Sequence, residues 1–428
     1  MYLRAMKNCW IAVVLSLAVI GVNSGVKAQE EIKVLSYNVL NYPNPDYDDR
    51  RADTLRKIID FYTPDIFLIQ ELKSAAGLQT LLNVAFNHSG ETDFASATWV
   101  SQVSNPNTSW PLQQNVIYNT QKLTLIEESY LLTVHRDLNY FKFLVNDENL
   151  SLHQDSTFVY AFSIHLKSSQ GGANVQARRD MVEVLTDFLA TLEPDAIVVV
   201  AGDFNVYTSL ESGYQLLINP NNALPLKDPI NAPGSWHNNA GFSDVHTQST
   251  RVSQINGDGA GGGMDDRFDF ILLSAPAFEE NARVKYIEGS YENLGNTGNC
   301  FNQSLIDCTG SSIPSEVVYA MYQMSDHLPI KMELEINLPE SSSTHLISQP
   351  FKVLTGANLV HNQLSVSAKG SLEIQGSYRI LDSSGQEVLR SKTAPVPSLE
   401  IYTGQLSAGL YMLVFDEQNW KPFRFLKF

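Results

Sequence analysis

The chain has 428 residues, of which 43% are hydrophobic and 10% aromatic. That supports a sizeable core spread over about two to four domains and excludes wholesale disorder. Charged residues are only 18%, which argues against coiled coils and charged tails. A formal net charge of −17 excludes a broad basic face that grips nucleic acid, though not a nuclease that meets phosphate through metal ions. Three cysteines are too few for a disulfide scaffold or a Cys-rich zinc fold.

Residues 1–28 are predicted to be an export signal. Arg4 and Lys7 give a positive start, and the apolar stretch Cys9–Val22 runs for 14 residues. That is short of the ~20 residues a spanning helix needs. Val26, Lys27 and Ala28 then place small residues where a signal peptidase cuts. The mature chain is expected to start near Gln29, outside the cytoplasm and with no stable membrane span. Cys300 and Cys308 remain, in a compartment where a disulfide between them would persist.

Residues 29–337 read as mixed α/β. Short β-branched runs recur at Ile32–Tyr37, Ile66–Ile69, Phe158–Ile164, Ile197–Val200 and Phe268–Leu273. Helical patterns lie between some of them. Arg51–Phe61 puts Leu55, Ile58 and Ile59 on one face, and Val175–Leu192 does the same with Val182, Val184, Leu185 and Leu189. A Ser-rich stretch marks a linker at 338–349. Residues 350–428 are slightly basic, so the acidic excess lies before them. Their short strand patterns and turn signals predict a small all-β sandwich.

Polar residues end these apolar runs with unusual regularity. Asn38 follows KVLSY, Glu71 follows IFLIQ, and His165 follows VYAFSI. Asp203 and Asn205 follow AIVVVAG, Asp269 sits in DDRFDFILLS, and Asp326 and His327 precede LPIKMEL. In α/β folds, ligands and catalytic groups gather where strand ends meet, so one composite site is the economical reading. Carboxylates and amides are hard oxygen donors that suit Mg²⁺ or Mn²⁺, with Ca²⁺ as an alternative, rather than zinc. Histidines beside them add proton transfer or phosphate binding. The combination describes metal-assisted hydrolysis of a phosphate ester.

The ordered blocks LSYNVLNY, LIQELK, SIHLKS, AGDFNVY, DDRFDFILLS and SDHLPI resemble the endonuclease/exonuclease/phosphatase superfamily, over about residues 32–336. The resemblance implies a four-layer α/β sandwich of two packed mixed sheets flanked by helices. It implies Glu71 as the main metal ligand, with Asn38 and Asp326 close to the metal. Asp203 and Asn205 match the pair that positions or deprotonates the attacking water and contacts phosphate. His327 matches the histidine that Asp269 orients. His165 and Arg136 match groups on the scissile phosphate.

Departures narrow the substrate. Abasic-site endonucleases of the superfamily carry an acidic residue where this chain has Leu40, and tend to have tyrosine where it has His165. Both differences point away from the DNA-repair branch, while the HLKS and GDFNVY blocks are more similar to secreted nucleases and phosphodiesterases, a core that sphingomyelinases and inositol-phosphate phosphatases largely share. The expected substrate is extracellular nucleic acid, met through its phosphate backbone. The alternative is a phosphomonoesterase or sphingomyelinase-like enzyme, whose small or lipid substrate would suffer less repulsion from the acidic chain. The tail segments LDSSGQEVLR and IYTGQLSAGLYMLVF resemble the C-terminal sorting domain of type IX secretion, the export route of Bacteroidetes-type bacteria. That implies the type IX machinery as a partner. The Gly- and Asp-rich stretch 255–267 reads as a mobile loop, and Trp99, Trp110 and Trp236 as core or rim packing.

Overall fold

The computed structural model describes residues 30–44, 50–90, 92–147 and 156–337, and in the C-terminal region 354–356, 359–368, 373–383, 385–416 and 422–428. The expected export signal and the linker at 338–349 lie outside the described residues.

Two six- or seven-stranded sheets make up the main body. In chain order the strands are β1 (Glu30–Tyr42), β2 (Ile66–Leu72), β3 (Phe94–Ser96), β4 (Gln113–Asn119), β5 (Leu123–Leu131), β6 (Leu138–Val145), β7 (Phe158–His165), β8 (Ile197–Asp203), β9 (Leu226–Lys227), β10 (Asp269–Ser274), β11 (Val284–Tyr286), β12 (Glu292–Asn293) and β13 (Ile330–Ile336). The first sheet runs β11-β13-β1-β2-β4-β3, with β12 also on β13; the second runs β5-β6-β7-β8-β10-β9. Each sheet mixes one parallel pair, β1 with β2 and β7 with β8, into antiparallel neighbours.

Period-two alternation sorts the side chains into layers. Ile32, Val34, Ile66 and Leu68 of the first sheet meet Val159, Ala161, Val199, Ala201, Ile271 and Leu273 of the second in the central core. The alternate residues face outward. Leu35, Tyr37, Phe67 and Ile69 pack under helices α1 (Arg51–Tyr62) and α2 (Ala75–Leu81). Phe162, Ile164, Val198 and Val200 pack under α3 (Gly172–Leu189) and α4 (Ser212–Leu217). The last helix, α5 (Ser315–Met324), packs with α1 on the first sheet. The result is the four-layer sandwich implied by the sequence.

The α1 face formed by Leu55, Ile58 and Ile59 is buried as its spacing requires. The longer helical pattern starts and stops three residues earlier than read, and Val184 is only half-buried while Met181 is fully covered. Cys300 and Cys308 are bonded as a disulfide.

The C-terminal region is all-β. Strands β14 (Leu354–Gly356), β16 (Gln363–Ala368) and β19 (Ser398–Tyr402) form one sheet. Strands β15 (Leu359–Val360), β17 (Ile374–Asp382), β18 (Glu387–Val396), β20 (Gly409–Phe415) and β21 (Phe423–Lys427) form the other. Leu364, Val366 and Ile401 of the first pack against Ile380, Leu413 and Phe425 of the second.

Candidate active site

The central core turns polar at one end, and it does so strand by strand. The inward rows read Ile32-Val34-Ser36-Asn38, Ile66-Leu68-Gln70, Val159-Ala161-Ser163-His165, Ile197-Val199-Ala201-Asp203 and Leu273-Ile271-Asp269. Each starts apolar and finishes on a hydrogen-bonding or ionisable group. Behind the site, Gln70 Nε2 donates to Ser163 Oγ at 2.9 Å, and Ser163 Oγ donates to the Ile69 carbonyl at 2.9 Å. These bonds sew one sheet to the other through the buried layer.

Register places the site residues. Asp203 pairs with His165 on the parallel side and with Asp269 on the antiparallel side. Gly202 makes the first pairing possible. Its φ is 146°, and a Cβ there would stand 1.9 Å from the Ile164 carbonyl oxygen. In the first sheet, Asn38 lies opposite Gln70 rather than after a strand, since β1 continues to Tyr42 through an irregularity. Leu40, Asn41, Glu71 and Asn205 all have φ between 48° and 65°. Such left-handed backbone costs of order 1–3 kcal/mol in a non-glycine residue and clusters at functional sites. At Glu71 it breaks the alternation and turns that carboxylate into the same space as Asp203.

The side chains converge. Asn38 Nδ2 donates to Glu71 Oε1 at 3.0 Å and to Asp203 Oδ2 at 3.1 Å. Its oxygen accepts from the Leu40 N–H at 3.0 Å, so Asn38 enters the site as a donor joining two carboxylates. Glu71 Oε2 accepts from the Asn41 N–H at 2.9 Å. Asp203 Oδ1 accepts from the Asn205 N–H at 3.0 Å. His165 Nε2 lies 3.5 Å from Asp203 Oδ2 and 3.9 Å from Glu71 Oε1. His327 Nδ1 lies 2.8 Å from Asp269 Oδ2, and its Nε2 lies 3.7 Å from Asp203 Oδ2. Arg136 reaches the same pocket and donates to the Leu166 carbonyl at 3.1 Å.

Burial and like charge set the electrostatics. Burial pushes Glu71 up, and Asp326 adds to this. Burial likewise raises Asp203 to about 7; Asp269 and Glu71 reinforce it and His327 opposes it. His165 is held well below its usual value by burial and by Arg136, so it is neutral. For His327, burial is overcome by Asp269 and Asp203, which hold the imidazole well above its usual value.

Glu71, His165 and Asp203 each offer a ligand atom within 4.8 Å of the others. Asp203 is buried, Glu71 is partly buried, and the two repel, so a compensating cation favours their charged forms. Hard oxygen donors with one imidazole fit a divalent ion of the Mg²⁺ or Mn²⁺ kind. Asp326 stands a step away. Its Oδ2 accepts from Gln248 Nε2 at 3.1 Å and from the Ala260 N–H at 2.6 Å.

Three features escaped the sequence reading. Gln248 Nε2 is 2.7 Å from His327 Nε2, which places this amide against the imidazole as well as against Asp326. Gln248 lies in the loop run DVHTQST with no apolar strand leading to it, so no local signal marked it. The Gly-rich stretch, read as a mobile loop, is fastened over the site. Asp258 accepts from Asn41 Nδ2 at 3.0 Å and from Asn44 Nδ2 at 2.6 Å, and Gly259 lines the pocket. Lastly, Trp110 and Tyr207 line the pocket while Trp236 is in the core. The pocket measures about 380 Å³ and holds Glu71, Arg136, His165, Asp203, Asn205, Asp326 and His327. Asp269 stands behind His327. All nine residues singled out from the sequence therefore lie in this pocket or directly against its lining residues.

The sequence model described as "Endonuclease/Exonuclease/phosphatase family" matches residues 35–327. No curated protein matches the chain. Among solved structures, the endonuclease/exonuclease/phosphatase from Bacteroides vulgatus is 16% identical, covering 72% of this chain and 100% of its own, with a TM-score of 0.45. TDP2 of D. rerio, complexed with single strand DNA product, is 17% identical over 72% of this chain and 100% of its own, with a TM-score of 0.46. The human Nocturnin catalytic domain with bound sulfate is 14% identical over 72% and 94%, with a TM-score of 0.41.

Proposed function

The chain belongs to the endonuclease/exonuclease/phosphatase family of hydrolytic phosphoesterases, and from that premise we propose that it is a divalent-metal-dependent phosphodiesterase that cleaves extracellular nucleic acid. The observation that carries this reading is the His327 imidazole, held between Asp269 and Asp203 and beside the Glu71 carboxylate in one pocket. Proton-transfer groups and a hard-donor set share the space that a phosphodiester would fill.

Glu71 and Asp203, with His165 and Asp326 nearby, are the groups that would hold Mg²⁺ or Mn²⁺; when bound, the ion supplies positive charge to the phosphate oxygens and acidity to water. The chain's own groups do the rest. Asp203 and Asn205 orient the attacking water, and Asp203, kept ionised by the cation, is the carboxylate placed to take the proton. Asp269 fixes the His327 tautomer, with Nδ1–H towards the carboxylate, and stabilises the cation. Cationic His327 and Arg136 face the phosphate charge from the pocket wall. Neutral His165 keeps a hydrogen-bonding nitrogen near the same oxygens.

We read residues 29–337 as the catalytic unit and 350–428 as a type IX sorting domain on a linker at 338–349. With the signal at 1–28, this places the enzyme outside the cell or on its surface. The core of the proposal is tested with the full chain, Mg²⁺ or Mn²⁺, and four substrates side by side: supercoiled plasmid, single-stranded RNA, sphingomyelin and inositol phosphates. Cleavage of a nucleic acid that disappears in Glu71→Ala is the expected result. Inert nucleic acids with phosphate or head-group release from a small substrate would overturn it.

A further inference from the structure

Trp110 is the large aromatic residue of the pocket that core packing does not explain. It is 55% exposed and yet lines the same cavity as Glu71, Asp203 and His327. An indole this open beside the site is available to stack on a ligand. Its ring is not free to swing. Trp110 Nε1 donates to Asn41 Oδ1 at 3.0 Å. The same Asn41 donates its backbone N–H to Glu71 and its Nδ2 to Asp258. One left-handed residue, with φ of 51°, thus ties the indole to a catalytic carboxylate and to the loop above it.

A cation accompanies the ring. Lys73 Nζ stands 4.3 Å from the Trp110 ring centroid, and Lys73 follows Glu71 by two residues on the chain. The arrangement is an ammonium over one face of a held indole that is otherwise open to solvent, at the mouth of a phosphate-hydrolysing pocket. A nucleotide presents the complementary pair, a flat base beside an anionic phosphate. A polyol or a lipid chain meets an indole through C–H and apolar contacts and lacks the flat face that a base would stack.

We propose that Trp110 and Lys73 form a subsite for the nucleobase and flanking phosphate next to the cleaved bond. This rests on the nuclease reading and names its substrate class as unpaired, single-stranded nucleic acid. Only an unstacked base exposes a face to the indole. Trp110 contributes to the choice of substrate and takes no part in proton transfer.

The full chain is assayed with Mn²⁺ on a single-stranded oligonucleotide and on a matched one carrying an abasic tetrahydrofuran residue beside the cleaved bond. Wild type, Trp110→Phe and Trp110→Ala are compared. On the natural substrate Trp110→Ala is expected to lower kcat/KM by about 5- to 100-fold, with Trp110→Phe retaining most of the rate. On the abasic substrate wild type and Trp110→Ala should converge. An equal loss on both substrates, or none on either, would overturn the subsite while leaving the nuclease intact. If wild type cleaves neither substrate, the nuclease reading itself fails, and the subsite is judged by binding alone. Quenching of intrinsic fluorescence by the oligonucleotide in chelator, present in wild type and absent in Trp110→Phe, would then sustain it. Equal quenching in both would sink it.

Discussion

Asp203 and Asp269 stand opposite one another in register on adjacent antiparallel strands, and the imidazole of His327 reaches both carboxylates. The two acids therefore act on one histidine from fixed positions. Asp269 Oδ2 holds Nδ1 at 2.8 Å, and Nε2 points into the pocket, 2.7 Å from Gln248 Nε2 and 3.7 Å from Asp203 Oδ2. Asp269→Asn keeps the shape and removes the charge that fixes the tautomer. We expect kcat to fall by roughly 10²–10⁴-fold with the melting temperature little changed. Steady-state kinetics and a melting curve check both halves. A variant within threefold of wild type would remove the dyad from the mechanism.

Glu71→Gln separates metal binding from folding. Burial and Asp326 both oppose the charge on Glu71, so the neutral amide relieves a cost that the metal-free protein bears. In chelator the variant should be at least as stable as wild type, while losing more than about 10³-fold in activity. Added Mg²⁺ at a hundredfold its Kd should stabilise wild type by about 2.7 kcal/mol and leave the variant nearly unmoved. Denaturant titrations with and without the ion decide the matter.

Gln248 bridges Asp326 and the outer nitrogen of His327. Removing it leaves both partners short of a contact inside the pocket. For Gln248→Ala we expect kcat to drop about 10- to 100-fold, as one lost hydrogen bond to a charged group would give. KM should move less than threefold, which a substrate-binding role would not allow.

Acid should weaken the fold through histidines remote from the catalytic carboxylates. Burial lowers the pKa of His246, whose Nε2 meets the Trp236 carbonyl, and lowers His135 to about 4. The folded state then binds protons less readily than the unfolded chain. Stability from this source is full above pH 6.5 and is lost as the pH falls towards the folded values. From pH 7.5 to pH 5 the urea midpoint of wild type should lose ground relative to that of His246→Asn. An equal drop in both proteins would mean that His246 plays no part.

The placement of Asn38, His165, Asp203 and Asp269 was legible because it follows strand alternation. Each inward row is a run of Val, Ile, Leu or Ala that finishes on Asn, Gln, His or Asp, and a period of two is visible in sequence. Gln248 was not legible because it enters from a loop held by long-range contacts. Nor was the donor role of Asn38. Whether an amide offers its oxygen or its nitrogen depends on which neighbours arrive, here Glu71 and Asp203 from other strands. Strand β4 was missed for a related reason. In GlnGlnAsnVal, polar residues enter a strand without a continuous apolar signal, and sheet pairing supplies the order.

The placement of β13 bears on timing. It lies between β1 and β11 in the first sheet, and Asp326 and His327 sit just before it in the chain. The residue that completes the dyad is thus brought in by the last strand of the sandwich, which pairs with the first strand across nearly three hundred residues. Such long-range pairing forms late and slowly. A nascent or truncated chain that ends before Asp326 has the carboxylates of Glu71, Asp203 and Asp269 but no histidine between the last two. The constellation of carboxylates and histidine is therefore complete only once β13 has joined β1.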